Sequence, residues 1–280
     1  MKVKVYAKLN LSLNIDGVCD GYHLLDAVTT SIDIFDVVEV SLRDDGQINV
    51  YGVDIPQQQN VAYKVAKRFF DTFSGSGCDV TIQKNIPFSQ GLGGSSADAS
   101  ATVYCLAKLL DVALDNPLIK QVCDSVGSDV YFMLHGGFGK IVARSQMVQL
   151  PKINLCGCLT CFDYKSETAM VFKQYDLMPS NQRTNNDHLV ATLLNGDIDS
   201  ANKLCFNALQ QPSNALFDYA SKYSNCCQTL GVKATMTGSG SAYFILCKSL
   251  QQAQELSGFF NNNGFVSQVF NSVPFGIEEI

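Results

Sequence analysis

Apolar and polar residues alternate along much of the first part of the chain. Residues 3–15 alternate over most of their length, which is the pattern of a strand with one buried face. Gly17 and the pair Asp20-Gly21 predict a turn after this strand. Residues 34–42 are rich in Val and Ile and predict a second strand. Further strands are predicted at residues 48–53 and 78–84.

Helical spacing replaces this alternation at three places in the same part of the chain. In residues 60–73 apolar side chains recur every four positions, from Val61 to Phe73, so they share one face of an amphipathic helix. Residues 98–110 are rich in Ala and Leu and have a helical spacing as well. Residues 118–125 predict a shorter helix, which Gly127 ends.

The pattern changes after Pro151. Residues 154–161 predict a strand, and the polar residues 180–187 predict a loop. The remaining predicted elements are helices at 187–194, 198–208, 215–229 and 250–261, and strands at 234–236 and 242–247 around a Gly/Ser turn. Because strands and helices mix without strict alternation, we expect the α+β class. We place two domains at residues 1–150 and 151–280.

Composition excludes several classes of protein. The chain has 280 residues, of which 46% are hydrophobic and 16% charged, so it can bury a core and is not a disordered chain. Its net charge is −6 without a basic stripe, which argues against a nucleic-acid partner but not against a small anionic substrate. It contains no run of 18 apolar residues, and with Lys2, Lys4 and Lys8 among its first ten residues we expect no signal peptide. We therefore expect a cytoplasmic protein, a monomer or homodimer, with no membrane partner.

The eleven cysteines are odd in number and scattered, which favours reduced thiols. Cys158 and Cys161 have a C-x-x-C spacing, with Cys156 nearby. A zinc site needs a second pair of ligands, and the chain has only three histidines. The alternation from Leu155 to Leu159 favours buried strand cysteines instead.

A glycine- and serine-rich segment connects a predicted strand to a predicted helix. Residues 86–98 read I-P-F-S-Q-G-L-G-G-S-S-A-D. The glycines let the main chain take positive φ and approach a ligand closely. Consecutive N–H groups and the positive end of the following helix can then bind an anion, and the two serine hydroxyls can contact phosphate oxygens or a metal. The segment therefore predicts a phosphate-binding loop.

Two better-known phosphate motifs do not describe this loop. The pattern G-x-x-x-x-G-K-[ST] is absent from the chain. The dinucleotide pattern G-x-G-x-x-G fails because its third glycine position is occupied by Ser96. A plain turn in which Ser96 caps the helix is the structural alternative.

Two further segments complete a set of motifs. The segment Tyr6-Ala7-Lys8-Leu9-Asn10-Leu11 precedes the loop, and Met236-Thr237-Gly238-Ser239-Gly240-Ser241-Ala242 follows it. Together with P-x-x-x-G-L-G-G-S-S-A-D-A, they resemble in order and spacing the three motifs of the GHMP kinases. The resemblance implies a two-domain fold, with an N-terminal domain like domain 2 of ribosomal protein S5 and a ferredoxin-like C-terminal domain. It also implies ATP binding by Pro87, Gly91, Leu92, Gly93, Gly94, Ser95, Ser96 and Ala97.

Other segments resemble one member of this superfamily in particular. Asp20-Gly21-Tyr22-His23 and Gly127-Ser128-Asp129-Val130 are similar to segments of a kinase of non-mevalonate isoprenoid biosynthesis. The resemblance implies ATP and a cytidine diphosphate-linked sugar alcohol as substrates, and Mg²⁺ through the phosphate chemistry, with metal ligands unknown. Another GHMP kinase, such as homoserine kinase, and a catalytically silent ligand-binding protein on the same fold are the alternatives.

Asp129 and Lys8 are the candidate catalytic residues. Phosphoryl transfer needs an acceptor for the proton of the attacking hydroxyl, and a carboxylate can act late, as the oxygen loses electron density. The resemblance assigns this role to Asp129 and places Lys8 beside it, where the cation would stabilise developing negative charge. As structural alternatives, Asp129 caps a helix that starts at Val130, and Lys8 is a solvated lysine at a strand edge.

Six residues are candidates for substrate binding. Asn10 lies two residues after Lys8 and so shares its strand face. The resemblance assigns recognition of cytosine to Tyr22 and His23, since an aromatic face can stack on a pyrimidine and a ring nitrogen can bind its edge. It places Gly238, Ser239 and Gly240 against substrate and phosphates. The structural alternative for Tyr22 and His23 is an ordinary surface turn. For the loop from Gly238 to Gly240 it is a tight hairpin.

Some positions differ from what is usual in the resembled kinase. Ser95 stands where a third loop glycine is common, Ser128 where alanine is usual and Tyr131 where proline is usual. Ala208, which follows Asn207, stands where aspartate is often found. These differences affect the expected substrate more than the phosphate loop. Asn60, Tyr63 and Lys64 match a segment near the adenosine, and otherwise form a plain start of a helix.

Overall fold

A computed structural model gives the fold and describes residues 1–143, 145–164 and 166–280. The elements up to residue 149 are β1 (Lys2–Cys19), β2 (Tyr22–Leu42), β3 (Ile48–Tyr51), α1 (Val61–Phe73), β4 (Cys78–Gln83), α2 (Gly94–Leu109), α3 (Pro117–Asp124), α4 (Val130–His135), β5 (Phe138–Ala143) and β6 (Gln146–Gln149). The elements after it are β7 (Cys156–Cys161), α5 (Thr168–Leu177), α6 (Asn186–Leu194), α7 (Ile198–Leu204), β8 (Phe206–Asn207), α8 (Gln210–Leu216), α9 (Ala220–Leu230), β9 (Thr235–Met236), β10 (Tyr243–Cys247), α10 (Leu250–Asn262), β11 (Val266–Val273) and β12 (Ile277–Glu279).

The strands β1 and β2 form a long antiparallel hairpin at the centre of the first sheet. Three register shifts interrupt their pairing and bend the hairpin. The alternation in residues 3–15 predicts one buried face, but both faces of β1 are buried between Val5 and Asn14. The polar face is covered because it forms the wall of a cavity and because Ser12 donates a hydrogen bond to Asn186 of α6.

The first sheet is completed by strands that pair with different parts of β2. Along its length β2 pairs with β5, with the end of β11 and with β4, while β3 pairs with β4. Helix α2 packs on this sheet through a buried face rich in alanine and other small residues. Small side chains let the helix axis lie close to the strands, so the start of α2 comes near β1.

The second sheet is antiparallel, in the order β9-β10-β7-β11. An apolar core that includes Tyr223 of α9 and Phe260 of α10 lies against it. Strand β11 belongs to both sheets, and β12 pairs with β1. The last strand thus returns to the first sheet, while the division at residue 150 stays a prediction. The α+β class is confirmed.

Several predicted elements differ in extent from the structure. The single helix predicted at 215–229 is two helices, α8 and α9, separated at Phe217, where the backbone is extended. The helix predicted at 198–208 ends at Leu204, because the next residues form β8 and pair with β1. The sequence pattern did not predict α5, β5, β6, β11 or β12. Each of these is short or has its apolar residues set by contacts that are distant in sequence.

No helix in the described part of the chain is long and apolar enough to cross a lipid bilayer.

We predict that Phe270→Ala lowers the free energy of unfolding by about 3–5 kcal/mol. The ring of Phe270 is fully buried and packs over Gly157 of β7, so truncation leaves a cavity over that strand. Val266→Ala on the same strand is the control, because Val266 is exposed, and it should cost less than about 1 kcal/mol. Urea denaturation measures both; equal losses would contradict this packing.

Candidate active site

A cavity of about 460 Å³ lies between β1, the start of α2 and the loop that joins β9 to β10. Its volume is in the range of ordinary small-molecule sites. The cavity wall includes all three motifs that the sequence analysis selected. The predicted residues on it are Lys8, Asn10, Pro87, Gly91, Leu92, Gly93, Gly94, Ser95, Ser96, Asp129, Gly238, Ser239 and Gly240. Ala97 is buried directly behind it in α2.

The predicted phosphate loop runs into α2 without a side-chain cap. Gly93 has φ +75° and occupies the N-cap position, so the helix begins at Gly94 and Ser96 is not the capping residue. The N–H of Ala97 donates to the carbonyl oxygen of Gly93 at 2.8 Å. The N–H groups before it have no partner within the helix, and they lie at the positive end of a 16-residue helix. This is the geometry of an anion site.

The main chain of the loop lies against the loop between β9 and β10. A Cβ atom at residue 91 would lie 2.1 Å from the carbonyl oxygen of Thr237, and one at residue 238 would lie 2.8 Å from that of Gly91. Both residues also have positive φ. Each position therefore requires glycine for two reasons, the lack of space and the backbone conformation. The C-terminal loop is a hairpin, as the structural alternative expected, and it also forms a wall of the cavity.

Gln90 holds the two loops together with its side-chain amide. Its Nε2 donates to the carbonyl oxygen of Phe162 at 2.7 Å, and its Oε1 accepts from the N–H of Phe162 at 3.1 Å and from the hydroxyl of Ser241 at 3.0 Å. Gln90 is 5% exposed, so these bonds are made in a largely dry environment. They fix the loop relative to the end of β7.

Asn207 supports the same hairpin from the other side. It is buried, and its amide nitrogen donates to the carbonyl oxygens of Met236 and Gly238 at 2.7 and 2.8 Å. Its Oδ1 accepts from the N–H of Leu209 at 2.9 Å. The side chain therefore closes the hairpin loop on the cavity.

Lys8 and Asp129 face each other at the cavity, with 3.4 Å between Nζ and Oδ2. The lysine is 4% exposed, whereas the Asp129 side chain is 27% exposed. The Lys8 ammonium also donates to Oδ1 of Asn10 at 2.5 Å, and Asn10 donates in turn to Thr29. The alternative of a solvated lysine at a strand edge is wrong, because Lys8 is buried in the central strand. Asn10 positions Lys8, and its predicted contact with substrate stays a prediction.

Asp129 is the N-cap residue of α4, but its side chain makes no capping hydrogen bond. The simple capping explanation for this aspartate therefore does not account for its orientation. The carboxylate instead lies beside a buried cation on the wall of the cavity that contains the phosphate loop. This is the arrangement expected of a group that meets a reacting hydroxyl.

A second lysine, Lys84, contacts the start of α2, and its side chain is 10% exposed. Lys84 donates to the carboxylates of Asp36 and Asp98, the latter at 2.8 Å, and approaches the carbonyl oxygen of Gly94 at 3.4 Å. Asp36 also accepts from the main-chain N–H groups of residues 85 and 86. The Oδ1 atom of Asp98 has no hydrogen-bond partner in the described structure. Burial raises the pKa of Asp98 to about 7, against the opposing effect of Lys84.

The residues predicted to recognise the base lie at the start of β2. Tyr22 is exposed. His23 packs on Phe172 of α5, with ring centroids 4.7 Å apart, and Phe172 lines the cavity. Asn60 also lines the cavity, and its side chain caps α1 by accepting from the N–H of Ala62. Neither Tyr63 nor Lys64 is part of the wall in the described structure.

The cysteines of the C-x-x-C segment lie on β7, as predicted. Cys158 is fully buried, and burial raises its pKa to about 12. The described residues contain no group of three or more His, Cys, Asp or Glu side chains that could hold a metal ion.

Comparisons with known proteins agree with the geometry. The family model of the GHMP kinases N terminal domain matches residues 60–137, and that of the GHMP kinases C terminal region matches residues 189–265. A 4-diphosphocytidyl-2-C-methyl-D-erythritol kinase from Desulfitobacterium hafniense is 32% identical over 273 residues, covering 93% of this chain and 91% of that protein. The chain belongs to the 4-diphosphocytidyl-2-C-methyl-D-erythritol kinase family of GHMP kinases.

Two further similarities cover different shares of the chain. The kinase of the same name from Clostridium tetani is 43% identical over 141 residues, and this match spans 49% of this chain and 50% of that protein. A crystal structure of 4-(cytidine 5'-diphospho)-2C-methyl-D-erythritol kinase superposes with a TM-score of 0.79, covering 97% of this chain and 99% of that one. At 22% identity the structural similarity shows the shared GHMP kinase fold.

The departures from the usual sequence of this family have local explanations at two positions. Tyr131 packs against His135 and lies under the Lys120 ammonium, 5.2 Å from its ring centroid. Ala208 donates its N–H to the carbonyl oxygen of Leu13, a main-chain contact that any residue but proline could make. Nothing in the structure explains Ser95 or Ser128.

Sequence reasoning missed several residues of this family member's site. Gln90 and Lys84 were not selected, because an isolated polar residue beside a motif gives no sign of its burial. Thr168 and Phe172 were missed because α5 was not predicted at all, and Ser166, just before that helix, was missed with them. Lys84 begins the segment Lys-Asn-Ile-Pro at residues 84–87, and its place shortly before the glycines was the one sign in the sequence that it could belong to the site.

We predict that Gly91→Ala weakens nucleotide binding at least about tenfold and lowers the free energy of unfolding by about 2–4 kcal/mol. The new Cβ would collide with the main chain of residue 237, so the two loops must separate. Gly258→Ala, in α10 with open space around it, should instead be neutral or stabilise by up to about 1 kcal/mol. Calorimetric titration with ATP and thermal unfolding check both. Unchanged binding in Gly91→Ala would contradict the loop contact.

We predict that Asp98→Asn makes stability less dependent on pH between about 4 and 7. The pKa of Asp98 is raised in the folded state to about 7 from 3.8, so its contribution is fully present below pH 3.8 and is lost as pH rises through 7. The variant lacks this titration, so its loss of stability across the window should be smaller than that of the wild type. Urea denaturation at several pH values measures it, with the exposed Asp115→Asn as control. Parallel profiles would disprove the shift.

Proposed function

We propose that this protein transfers the γ-phosphoryl group of ATP to the 2-hydroxyl of 4-diphosphocytidyl-2-C-methyl-D-erythritol, in non-mevalonate isoprenoid biosynthesis. One observation carries the proposal: the Asp129 carboxylate and the Lys8 ammonium lie on the wall of the cavity that the glycine loop also lines. Membership of the family whose Desulfitobacterium hafniense relative bears this name supports the choice of substrate.

The nucleotide side of the reaction depends on the start of α2. The triphosphate binds along the loop from Gly91 to Ser96, where main-chain N–H groups donate to phosphate oxygens. The helix end contributes a fixed positive potential that needs no reorganisation during transfer. Binding at this loop brings the terminal phosphate towards the cavity floor, where Lys8 and Asp129 lie.

The acceptor side depends on Asp129. Its carboxylate orients the attacking hydroxyl by accepting its hydrogen bond, and it takes the proton late, when the oxygen has begun to bond to phosphorus. Lys8 holds the carboxylate in place and lowers the energy of the negative charge on the transferring group. Asn10 fixes the ammonium by accepting a hydrogen bond from it, so the cation does not have to be oriented during each turnover.

Magnesium fits this site as a companion of the phosphates. The described residues provide no cluster of three carboxylate, histidine or cysteine ligands, and Mg²⁺ commonly keeps its waters and binds through phosphates and one or two carboxylates. The oxygen donors on the wall include the hydroxyl of Ser96, the carboxylate of Asp129 and the unpartnered Oδ1 of Asp98. When bound, the ion neutralises phosphate charge.

The acceptor substrate is held by the opposite end of the cavity. We place its cytosine against His23, Tyr22 and Phe172, since an aromatic ring can stack on a pyrimidine. Ser239 also lines the cavity, and its hydroxyl shares a hydrogen bond of 2.8 Å with Thr168. Gly238 and Gly240 leave this region of the wall free of side chains, so a diphosphate can approach the main chain.

The free cysteines support a proposal about where this protein works. We propose that it works in the cytoplasm as a monomer or homodimer on small molecules. All eleven cysteines are free thiols in the structure, which suits a reducing compartment.

We predict that Asp129→Asn lowers kcat at least about 1,000-fold while the dissociation constant for ATP changes less than about threefold. The amide keeps the size of the side chain but cannot take a proton from the hydroxyl. Coupled phosphate-transfer assays and calorimetric titration with ATP measure the two quantities. Asp115→Asn, an exposed aspartate remote from the wall, is the control for the loss of one charge.

The same assay separates the alternatives. Phosphorylation of homoserine but not of the cytidyl substrate would replace the proposed substrate. If Asp129→Asn has the same kcat as the wild type, Asp129 has no catalytic role. A wild-type protein that binds ATP but phosphorylates none of a panel of small alcohols would favour the silent binding protein.

A further inference from the structure

His23 is held by three residues of one helix. Phe172, Tyr175 and Asp176 occupy positions i, i+3 and i+4 of α5 and so project from one face of it. The Phe172 ring lies 4.7 Å from the imidazole with an interplanar angle of 32°, and the Tyr175 ring meets it edge-on at 6.0 Å. The third contact is polar: Nε2 of His23 lies 2.7 Å from Oδ1 of Asp176.

This polar contact decides which ring nitrogen carries hydrogen. An ionised carboxylate can only accept hydrogen bonds, so the nitrogen facing it must be the protonated one. In a neutral imidazole only one nitrogen is protonated, and the other is an acceptor. Asp176 therefore stabilises the tautomer with hydrogen on Nε2 and a bare Nδ1. Within the described part of the chain, Nδ1 has no hydrogen-bond partner.

A bare nitrogen distinguishes the two common pyrimidines. Cytosine carries an amino donor at position 4, whereas uracil carries a carbonyl acceptor there. An acceptor on the protein pairs with the amino group of cytosine. Opposite uracil, the two acceptors would face each other without a shared proton, which weakens binding.

We propose that Asp176 is a positioning residue that keeps Nδ1 of His23 unprotonated and so makes the site select cytosine over uracil. This inference rests on the proposed function, which places the substrate base beside Phe172. Asp176 does not touch the substrate; it acts through the imidazole. Its own side chain is 54% exposed, whereas that of His23 is 14% exposed, so the aspartate can be changed with little effect on the core.

The tautomer is tested directly by ¹⁵N NMR of histidine-labelled protein at pH 8, with the His23 signals assigned by a His23→Gln variant. We expect hydrogen on Nε2 and a bare Nδ1 in the wild type, and a mixture of tautomers in Asp176→Ala. Asp176→Asn should retain the wild-type tautomer, because its amide oxygen still accepts from Nε2. Lys173→Ala changes an exposed charge on the same helix and should leave the signals unchanged. A protonated Nδ1 in the wild type overturns the proposal.

Selectivity is tested by calorimetric binding of cytidine diphosphate and uridine diphosphate. We expect the wild type to bind the cytidine compound at least about tenfold more tightly, and this ratio to fall towards one in Asp176→Ala and to be largely kept in Asp176→Asn. An undiminished ratio in Asp176→Ala, or no binding of either compound to the wild type, overturns the proposal.

The outcomes distinguish this inference from the proposed function. A wild-type protein that prefers cytidine diphosphate but does not phosphorylate the cytidyl substrate refutes the function and leaves the inference standing. Equal phosphorylation of cytidyl and uridyl substrates refutes the inference and leaves the kinase activity standing.

Discussion

The contact between two stretches of bare main chain determines the shape of the site. At Gly91 and Gly238 the two loops approach so closely that neither position has room for a Cβ atom. The approach joins the end of a strand in the first sheet to a hairpin of the second sheet. Gln90 secures it with side-chain hydrogen bonds that are shielded from water. Because this contact is direct, the start of α2 and the hairpin line the same cavity, and their positions set its shape.

Lys8 and Lys84, both largely shielded from water, serve different purposes beside this contact. A buried ammonium needs a charged or polar partner, and each lysine has such partners. Lys84 has carboxylates that are themselves buried, so its interactions hold the strand before the loop to α2. Lys8 has a carboxylate, Asp129, that is partly open to the cavity. The more open carboxylate, Asp129, is the one that we propose meets the reacting hydroxyl, with Lys8 beside it.

The sequence predicted most of the secondary structure and the wall of the site. Strands and helices with a clear period, such as residues 60–73 and 78–84, agree with the structure within a few residues. The glycine motifs were equally clear, because positive φ and close approach restrict the residue type. The element α5 was not predicted, since its helix has apolar residues on more than one side. Phe172 and Asp176 were missed with it, and so was the environment of His23.

Local chemistry therefore determined the class of this protein: the order of its motifs, the period of its strands and the glycines of its loops are all readable along the chain. The tertiary structure decided which polar residues became buried. Alternation in β1 indicates that Lys8, Asn10 and Ser12 share one face, but not whether water or protein covers it. That depends on α6, the glycine loop and Asp129, which are more than 75 residues away in the sequence. Burial and partner choice are long-range properties, and no local pattern contains them.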